Sequence, residues 1–202
     1  MRETRTISRS KRLADILAIL FIGLSSGFVF KYFDDSMTYP NLNRISDFLI
    51  HTFALDRVFS EMAVFLVIGV ALAIFASTPR RAGINNLLYF LCLNVGYYGY
   101  MYHYWHFVAW DYIIFWVVFA CVTPFLGYVV WYCMDNTIFA KSLKVIILAM
   151  MTVFSFSSVD YDFTYKGFIY LLLFITLIWL IKPNWKLLVL GILIGLAIII
   201  II

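Results

Sequence analysis

The sequence predicts an all-α protein, a bundle of helices that span a membrane. Hydrophobic residues make up 64% of its 202 positions and charged residues only 13%, whereas a soluble domain is about half apolar and about a quarter charged. The apolar residues also fall into runs close to the roughly 20 that a helix needs to cross a bilayer. Soluble, disordered, fibrous and disulfide-scaffold proteins have compositions that this chain lacks.

Seven apolar runs are candidate spans, and residues 1–12 form a basic segment before the first of them. In chain order the runs are 13–33, 58–76, 84–105, 111–133, 143–159, 163–181 and 187–202. The sixteen residues of the last run reach about 24 Å, which is short of a hydrocarbon core about 30 Å thick. Six full spans, with the last run entering only part of the bilayer, is therefore the alternative to seven. With no internal repeat and no long linker, the chain is expected to form one integral membrane domain.

Polar breaks and prolines separate the runs. The half-polar segment 43–57 carries apolar residues at helical spacing, which predicts an amphipathic helix lying on the outer membrane surface. Residues 78–81 are expected to close the second span, and residues 182–185 to form a tight turn before the last. Pro124 is expected to bend the fourth span and to release a carbonyl that a neighbouring hydroxyl can satisfy.

The charges predict an orientation with the N-terminus in the cytoplasm. With that orientation, eleven of the fifteen Lys and Arg residues fall on the inner side and eight of the eleven acidic residues on the outer side. The net charge is then +8 inside and −4 outside. Since cytoplasmic loops hold an excess of Lys and Arg, this is the expected arrangement in a bacterial cytoplasmic membrane. The C-terminus lies outside if all seven runs span.

The distribution of charged residues between the two sides also bears on the partners of the chain. A basic N-terminus beside a span is explained by orientation and by anionic lipid, so the net positive charge calls for no nucleic acid. The lipid bilayer is the first partner, and a second membrane subunit, another copy of the chain or a small molecule are further candidates. No cofactor is predicted.

Histidines at the outer side are candidate metal ligands. His103 and His106 are three residues apart and share one face if the helix continues through them. Zinc needs three or four ligands, so a site forms only if the fold brings up His51, Asp111 or Glu61. Polar residues among an interfacial aromatic belt are the alternative interpretation. The three cysteines lie within predicted spans, where apolar packing explains them.

An outward-facing ligand site is predicted around the outer ends of the second to fourth spans. Anchoring in an interfacial aromatic belt is the default interpretation of Tyr97, Tyr98 and Tyr100, but they sit deeper than a belt requires, so an aromatic-walled cavity open to the outside is the alternative. Glu61 is a carboxylate in apolar sequence, where a charge is usually paired or faces a cavity, and Arg57 lies one helical turn earlier. The full predicted set is Glu61, Tyr97, Tyr98, Tyr100, His103, His106 and Asp111.

Small residues four apart in the first and last spans predict close helix packing. The pairs are Ala14 with Ala18, Gly23 with Gly27, and Gly191 with Gly195. Such pairs serve contacts within the chain as well as contacts with a partner helix. Both interpretations remain open from the sequence.

Two family resemblances add to this interpretation. Residues 77–82 with Asn85, then Tyr97-Tyr98, Thr123-Pro124-Phe125 and Trp131-Tyr132, resemble small multi-spanning membrane proteins of Gram-positive bacteria with a domain of unknown function. That resemblance covers about the middle third of the chain and implies no activity.

The chain length, the inside N-terminus and the Ala14–Ala18 pair resemble the substrate-capturing subunits of energy-coupling-factor transporters. In that family small residues on the first helix contact the coupling subunit, and substrate binds from outside. The resemblance implies the same roles here. A seventh span and the long polar segment after the first span depart from the family pattern.

Three functions are compatible with these observations. The first is a transport-related or accessory membrane subunit with an outward-facing ligand pocket. The second is a structural or assembly partner that binds other membrane helices through small-residue faces. The third is a metal-dependent membrane enzyme using His103 and His106. The chain has no Ser-His-Asp spacing, HExxH or P-loop, so no catalytic residue is predicted and a non-enzymatic function is favoured.

Overall fold

The computed structural model describes residues 8–36, 62–157 and 166–201, and every element in these segments is helical. This confirms the predicted all-α class. The elements are α1 (Arg9–Ser36), α2 (Met62–Phe75), α3 (Pro79–Trp105), α4 (Trp110–Trp131), a 3-10 turn (Tyr132–Met134), α5 (Ile138–Ser157), α6 (Lys166–Ile181) and α7 (Trp185–Ile201). The predicted interfacial helix at 43–57 lies outside the described residues.

Three stretches of the described chain are long and apolar enough to cross a membrane. They are Ser10–Asp34, Trp110–Met134 and Ile138–Phe156. Helices α2, α6 and α7 are apolar but shorter, and α3 is long but carries many tyrosines, asparagines and histidines. These properties indicate a membrane protein.

Helix α3 begins five residues before the predicted start of the third span. Thr78 is its N-cap: the Thr78 hydroxyl accepts a hydrogen bond from the backbone N–H of Arg81 at 3.2 Å. Pro79 occupies the first turn, where its missing N–H costs nothing. Residues 78–81, which were expected to close the second span, thus also start the next helix.

Helices α5 and α7 also begin earlier than predicted, each at a polar cap. Thr137 Oγ1 accepts from the backbone N–H of Ala140 at 3.1 Å, and Asn184 Oδ1 accepts from that of Leu187 at 3.0 Å. Capping by Ser, Thr, Asp or Asn satisfies N–H groups that have no partner within the helix. Lys141, Lys144 and Lys186, near these starts, therefore lie on helices.

Helix α2 lies at the centre of the described bundle and contacts α3, α4, α5 and α6. One face of α2 packs on α5 and α6 through Val67 and Val70, together with Leu148. Another face packs on α3 and α4, where Phe65 contacts Phe90 and Trp116. The central position of α2 explains how fourteen residues hold the bundle together.

Two closely packed helix pairs flank α2, and in each pair glycines allow the two helices to approach each other closely. A Cβ on Gly27 of α1 would overlap the carbonyl oxygen of Leu93 on α3 and lie 2.7 Å from the amide nitrogen of Tyr97. A Cβ on Gly195 of α7 would lie 2.6 Å from the Cβ of Thr152 on α5. The pairs α1–α3 and α5–α7 are thus held by backbone proximity as well as by side chains.

The two ends of the bundle differ in charge. At one end, which we call the basic end, the Arg81 guanidinium lies 3.7 Å from a carboxylate oxygen of Asp15 and the Lys144 ammonium donates to the Lys182 carbonyl at 3.4 Å. The described cations at this end are Lys11, Arg12, Arg80, Arg81, Lys141, Lys144, Lys182 and Lys186. The opposite end, which we call the aromatic end, holds the C-terminus of α3 and the N-terminus of α4.

Candidate functional site

A charged pair and a phenol join α1 to α3 near the aromatic end. The Lys31 ammonium lies 2.9 Å from Asp34 Oδ2, and the Tyr97 hydroxyl donates to the same oxygen at 2.6 Å. The Lys31 ammonium also lies 5.2 Å from the centre of the Tyr97 ring, within range of a cation–π contact. We call these three residues the outer cluster.

The outer cluster is only partly shielded from its surroundings. The Lys31 side chain is 12% exposed and that of Asp34 is 32% exposed. The ammonium therefore has little access to solvent and depends on Asp34 and the Tyr97 ring, whereas the carboxylate remains accessible to an approaching group. Asp34 therefore links a cation of its own helix to a phenol of α3.

The other tyrosines of the predicted site spread over both sides of α3. Tyr100 packs edge-on against Phe28 of α1 at 5.0 Å and lies 4.4 Å from Tyr104. The Tyr98 phenol is close enough to that of Tyr112 on α4 to interact with it electrostatically. Tyr97 and Tyr98 touch each other at 5.2 Å between ring centres. The three predicted tyrosines are therefore neighbours, but they face α1 and α4 rather than one common cavity.

His103 and His106 do not share a helical face. Helix α3 ends at Trp105, and His106 adopts a left-handed conformation with φ 50° as its C-cap. The His103 ring packs on Tyr104 and the His106 ring on Tyr102, and both histidines are exposed. The condition that the helix continue through both residues is not met.

The described part of the chain contains no group of three or more His, Cys, Asp or Glu side chains that could hold a metal ion. Asp111 is exposed in the first turn of α4, where a negative charge is favoured by the helix dipole. Glu61, Arg57 and His51 lie outside the described residues. The part of the ligand-site prediction that rests on Glu61 stays a prediction.

The six predicted packing residues divide into two groups. Gly23 and Gly27 face α3, and Gly191 and Gly195 face α5, so all four glycines contact helices of the same chain. Ala14 and Ala18 are exposed on α1. Only the alanine pair is therefore left facing outward for a partner helix.

A second candidate site is an apolar cleft of about 130 Å³ between α2, α3, α4 and α5. None of the residues predicted from the sequence lines it. Its walls include Phe65, Phe90 and Phe119, and its two polar lining side chains are Asn86 and Thr123. We call it the central cleft, and no ionisable side chain lines it.

Asn86 sits between two glycines at the wall of the central cleft. The residue is 2% exposed, and its amide nitrogen donates to the Ala82 carbonyl at 2.9 Å. A Cβ on Gly69 of α2 would lie 3.2 Å from Asn86 Oδ1, and one on Gly127 of α4 would lie 2.6 Å from Asn86 Nδ2. Glycine at both positions makes room for an amide inside an apolar bundle.

Thr123 satisfies a carbonyl that Pro124 leaves free. Proline has no N–H, so the Ala120 carbonyl one turn earlier loses its helical partner. The Thr123 hydroxyl donates to that carbonyl at 2.7 Å. This confirms the expectation that a neighbouring hydroxyl compensates for the proline.

Three residues of the two sites, Lys31, Asp34 and Asn86, were not predicted from the sequence, although each had a signal there. Lys31 and Asp34 are opposite charges three apart at the end of a span, a spacing at which helical side chains meet. Asn86 and Asn94 are amides inside an apolar run, which in membrane helices usually face protein. The helical periodicity of a single sequence does not show which residues of other helices these side chains contact.

No family model, curated protein or solved structure matches this chain.

Proposed function

We propose that the chain is a polytopic protein of a bacterial cytoplasmic membrane, a transport-related or accessory subunit that captures a small molecule at its outer side. The seven helices of the described segments are proposed as seven passes, with the basic end in the cytoplasm. The outer cluster carries the proposal. A near-buried ammonium, a partly exposed carboxylate and a phenol from two helices form a preorganised polar site beside several aromatic rings.

The proposed orientation is supported by the separation of charge along the bundle. Eight described Lys and Arg residues cluster at the basic end, as the excess of cytoplasmic Lys and Arg requires. Many of the tyrosines and both described histidines lie at the other end, where amphipathic rings prefer the boundary between hydrocarbon and water. The short helices α2, α6 and α7 require a locally thinned bilayer or contacts with their longer neighbours.

The proposed ligand is small, planar and polar or cationic. Tyr98, Tyr100 and Tyr104 offer ring faces and edges for stacking beside the outer cluster. The Asp34 carboxylate is 32% exposed and carries a negative charge, which favours a ligand with a cationic or hydrogen-bond-donating group. Asp111 at the start of α4 adds a second negative charge at the same end, and Glu61 remains part of the proposed set.

Co-purification tests this proposal directly. The full chain is purified in mild detergent, and small molecules it retains are identified by native mass spectrometry. A retained molecule is expected in the unaltered chain and in Tyr102→Phe, whose ring is exposed at the same end. Tyr97→Phe and Asp34→Asn should lose it. Equal retention in all four proteins would contradict capture by the outer cluster.

An assembly function is the second candidate, and one observation favours it. Among the described residues α1 packs along α3, with Phe30 reaching Phe65 on α2, while Ala14 and Ala18 stay exposed. Small residues four apart allow a partner helix to approach closely. Under this proposal Ala18→Leu abolishes co-purification of a membrane subunit. The control Ala197→Leu, at an exposed alanine of α7, does not.

A further inference from the structure

The central cleft opens sideways between α4 and α5. Among the described residues these two helices do not pack along each other. Leu126 of α4 and Met150 of α5 both line the cleft, and they are 46% and 43% exposed. The cleft is therefore continuous with the outer surface of the bundle, which faces hydrocarbon if the proposed membrane arrangement holds.

The dimensions of the cleft suit a short segment of one hydrocarbon chain. Its lining runs from Met62 to Val70 on α2, which corresponds to about 12 Å along the helix axis. Its volume of about 130 Å³ is close to that of cavities of about 150 Å³ that take up benzene. Gly69 and Gly127 leave the floor without side chains, so the groove follows the helix axes.

One polar atom in the cleft points to a specific ligand group. Asn86 donates from its amide nitrogen to Ala82, but among the described residues no N–H or O–H group donates to its Oδ1. Because Asn86 lines the cleft, this acceptor gains a hydrogen bond from any ligand in the cleft that brings an O–H to it. Thr123, the other polar lining residue, already donates to Ala120.

The neutral lining excludes a charged group at this depth. Asn86 lies seven residues after Pro79, about 10 Å along α3 from its basic end. Bringing a phosphate or ammonium group that far below the surface is expensive without an opposite charge, and the lining has no ionisable side chain. Phospholipid headgroups therefore cannot be the group that Asn86 recognises.

From these observations we propose that the central cleft binds a neutral lipid with a free hydroxyl, its hydrocarbon chain lying along the helices and its O–H donating to Asn86 Oδ1. The proposal rests on the membrane arrangement proposed above but not on ligand capture at the outer cluster. Two natural sources share this chemistry, a diacylglycerol and a long-chain or polyprenyl alcohol.

Photocrosslinking in lipid nanodiscs tests the proposal on the full chain. The probe is hexadecan-1-ol carrying a mid-chain diazirine, and its methyl ether serves as the matched ligand without an O–H donor. The alcohol should crosslink about three to ten times more than the ether, the factor expected for one hydrogen bond. Crosslinks should map to α4 and α5 around Leu126 and Met150. Equal crosslinking of the two probes to the unaltered chain would overturn the proposal without any mutation.

Two glycine variants make the test specific to the cleft. Gly69→Leu projects a side chain into the cleft beside Asn86 Oδ1 and should reduce alcohol crosslinking to the level of the ether. Gly99→Leu, at an α3 position with open space, should leave it unchanged. Undiminished crosslinking in Gly69→Leu contradicts the proposal.

Competition with unlabelled lipid identifies the source. Displacement of the probe by diacylglycerol or by a polyprenyl alcohol supports the proposal and names the lipid, whereas displacement by neither contradicts it. The Tyr97→Phe variant should crosslink normally, because α1 and Tyr97 do not line the cleft. A failure of the unaltered chain to retain a ligand would therefore contradict the proposed function, whereas only a failure of the specific crosslinking at the central cleft would contradict the lipid proposal.

Discussion

The outer cluster and the central cleft share helix α3, yet they hold opposite kinds of polar group. The outer cluster places an ammonium and a carboxylate 2.9 Å apart where the carboxylate still meets its surroundings. The central cleft holds an amide and a hydroxyl and no charge. The difference follows from the free-energy cost of burial. A charge is tolerated near an end of the bundle, whereas deep in the bundle a neutral group costs much less than an unpaired charge.

The buried neutral side chains share one hydrogen-bonding pattern. Asn86, Asn94 and Thr152 each donate to the carbonyl four residues earlier, and Thr123 donates three residues back. Each side chain thus satisfies a donor within its own helix, and Asn94 also donates to the Trp116 carbonyl of α4 at 3.5 Å. The outer cluster instead depends on a contact between two helices, so it should be the more easily disrupted of the two sites.

The largest expected effect is on the packing of α1 against α3, which holds the outer cluster together; α1 does not line the central cleft. In Gly27→Ala the new Cβ overlaps the Leu93 carbonyl, and because backbone cannot give way, α1 must move off α3. We expect a loss of about 3 kcal/mol or more in unfolding free energy, measured by denaturant titration in detergent. The control Gly99→Ala, at an open position on α3, should change stability by less than about 1 kcal/mol. An unchanged stability for Gly27→Ala would mean that α1 does not pack as described.

The next effect concerns the wall of the central cleft, where a double-mutant cycle tests the Thr123 hydrogen bond beside Pro124. Thr123→Val removes the hydroxyl that donates to Ala120, and we expect a cost of about 1 kcal/mol. In a Pro124→Ala background the restored N–H can reach the same carbonyl, so the cost should shrink. Equal costs in both backgrounds would show that Thr123 does not compensate for the proline.

The smallest expected effect concerns the outer cluster. Tyr97→Phe removes a hydrogen bond to a carboxylate that is one-third exposed, so we expect only about 0.5–1 kcal/mol of destabilisation. In an Asp34→Ala background the same substitution should cost close to nothing. A full cost for Tyr97→Phe without Asp34 would assign its effect to packing of the ring.

The sequence predicted the helical class, since long apolar runs separated by prolines and charges leave few alternatives, and each described helix overlaps one of the predicted runs. It placed the start of α3 too late, because hydropathy does not register Thr78 as a cap or Pro79 as a first-turn residue. It grouped His103 with His106 because periodicity cannot reveal a left-handed residue at a helix end.

The candidate sites were harder to predict than the helices. Tyr97 was recognised from its depth, but its partners Lys31 and Asp34 lie more than sixty residues away in the chain. Asn86 becomes conspicuous only once Gly69 and Gly127 are seen on either side of it. Contacts between distant segments depend on which helix faces pair, and a single sequence with helical period throughout does not specify that pairing.

The most direct test of the account is the sidedness of α3 and α4. In a chain with its cysteines replaced by alanine, single cysteines are placed at Phe107→Cys, between α3 and α4, and at Asn136→Cys, between α4 and α5; both positions are exposed. Intact cells are treated with a membrane-impermeant maleimide. The account predicts labelling at position 107 in intact cells and at position 136 only after permeabilisation. Labelling of both positions from outside, or of position 136 alone, would contradict it.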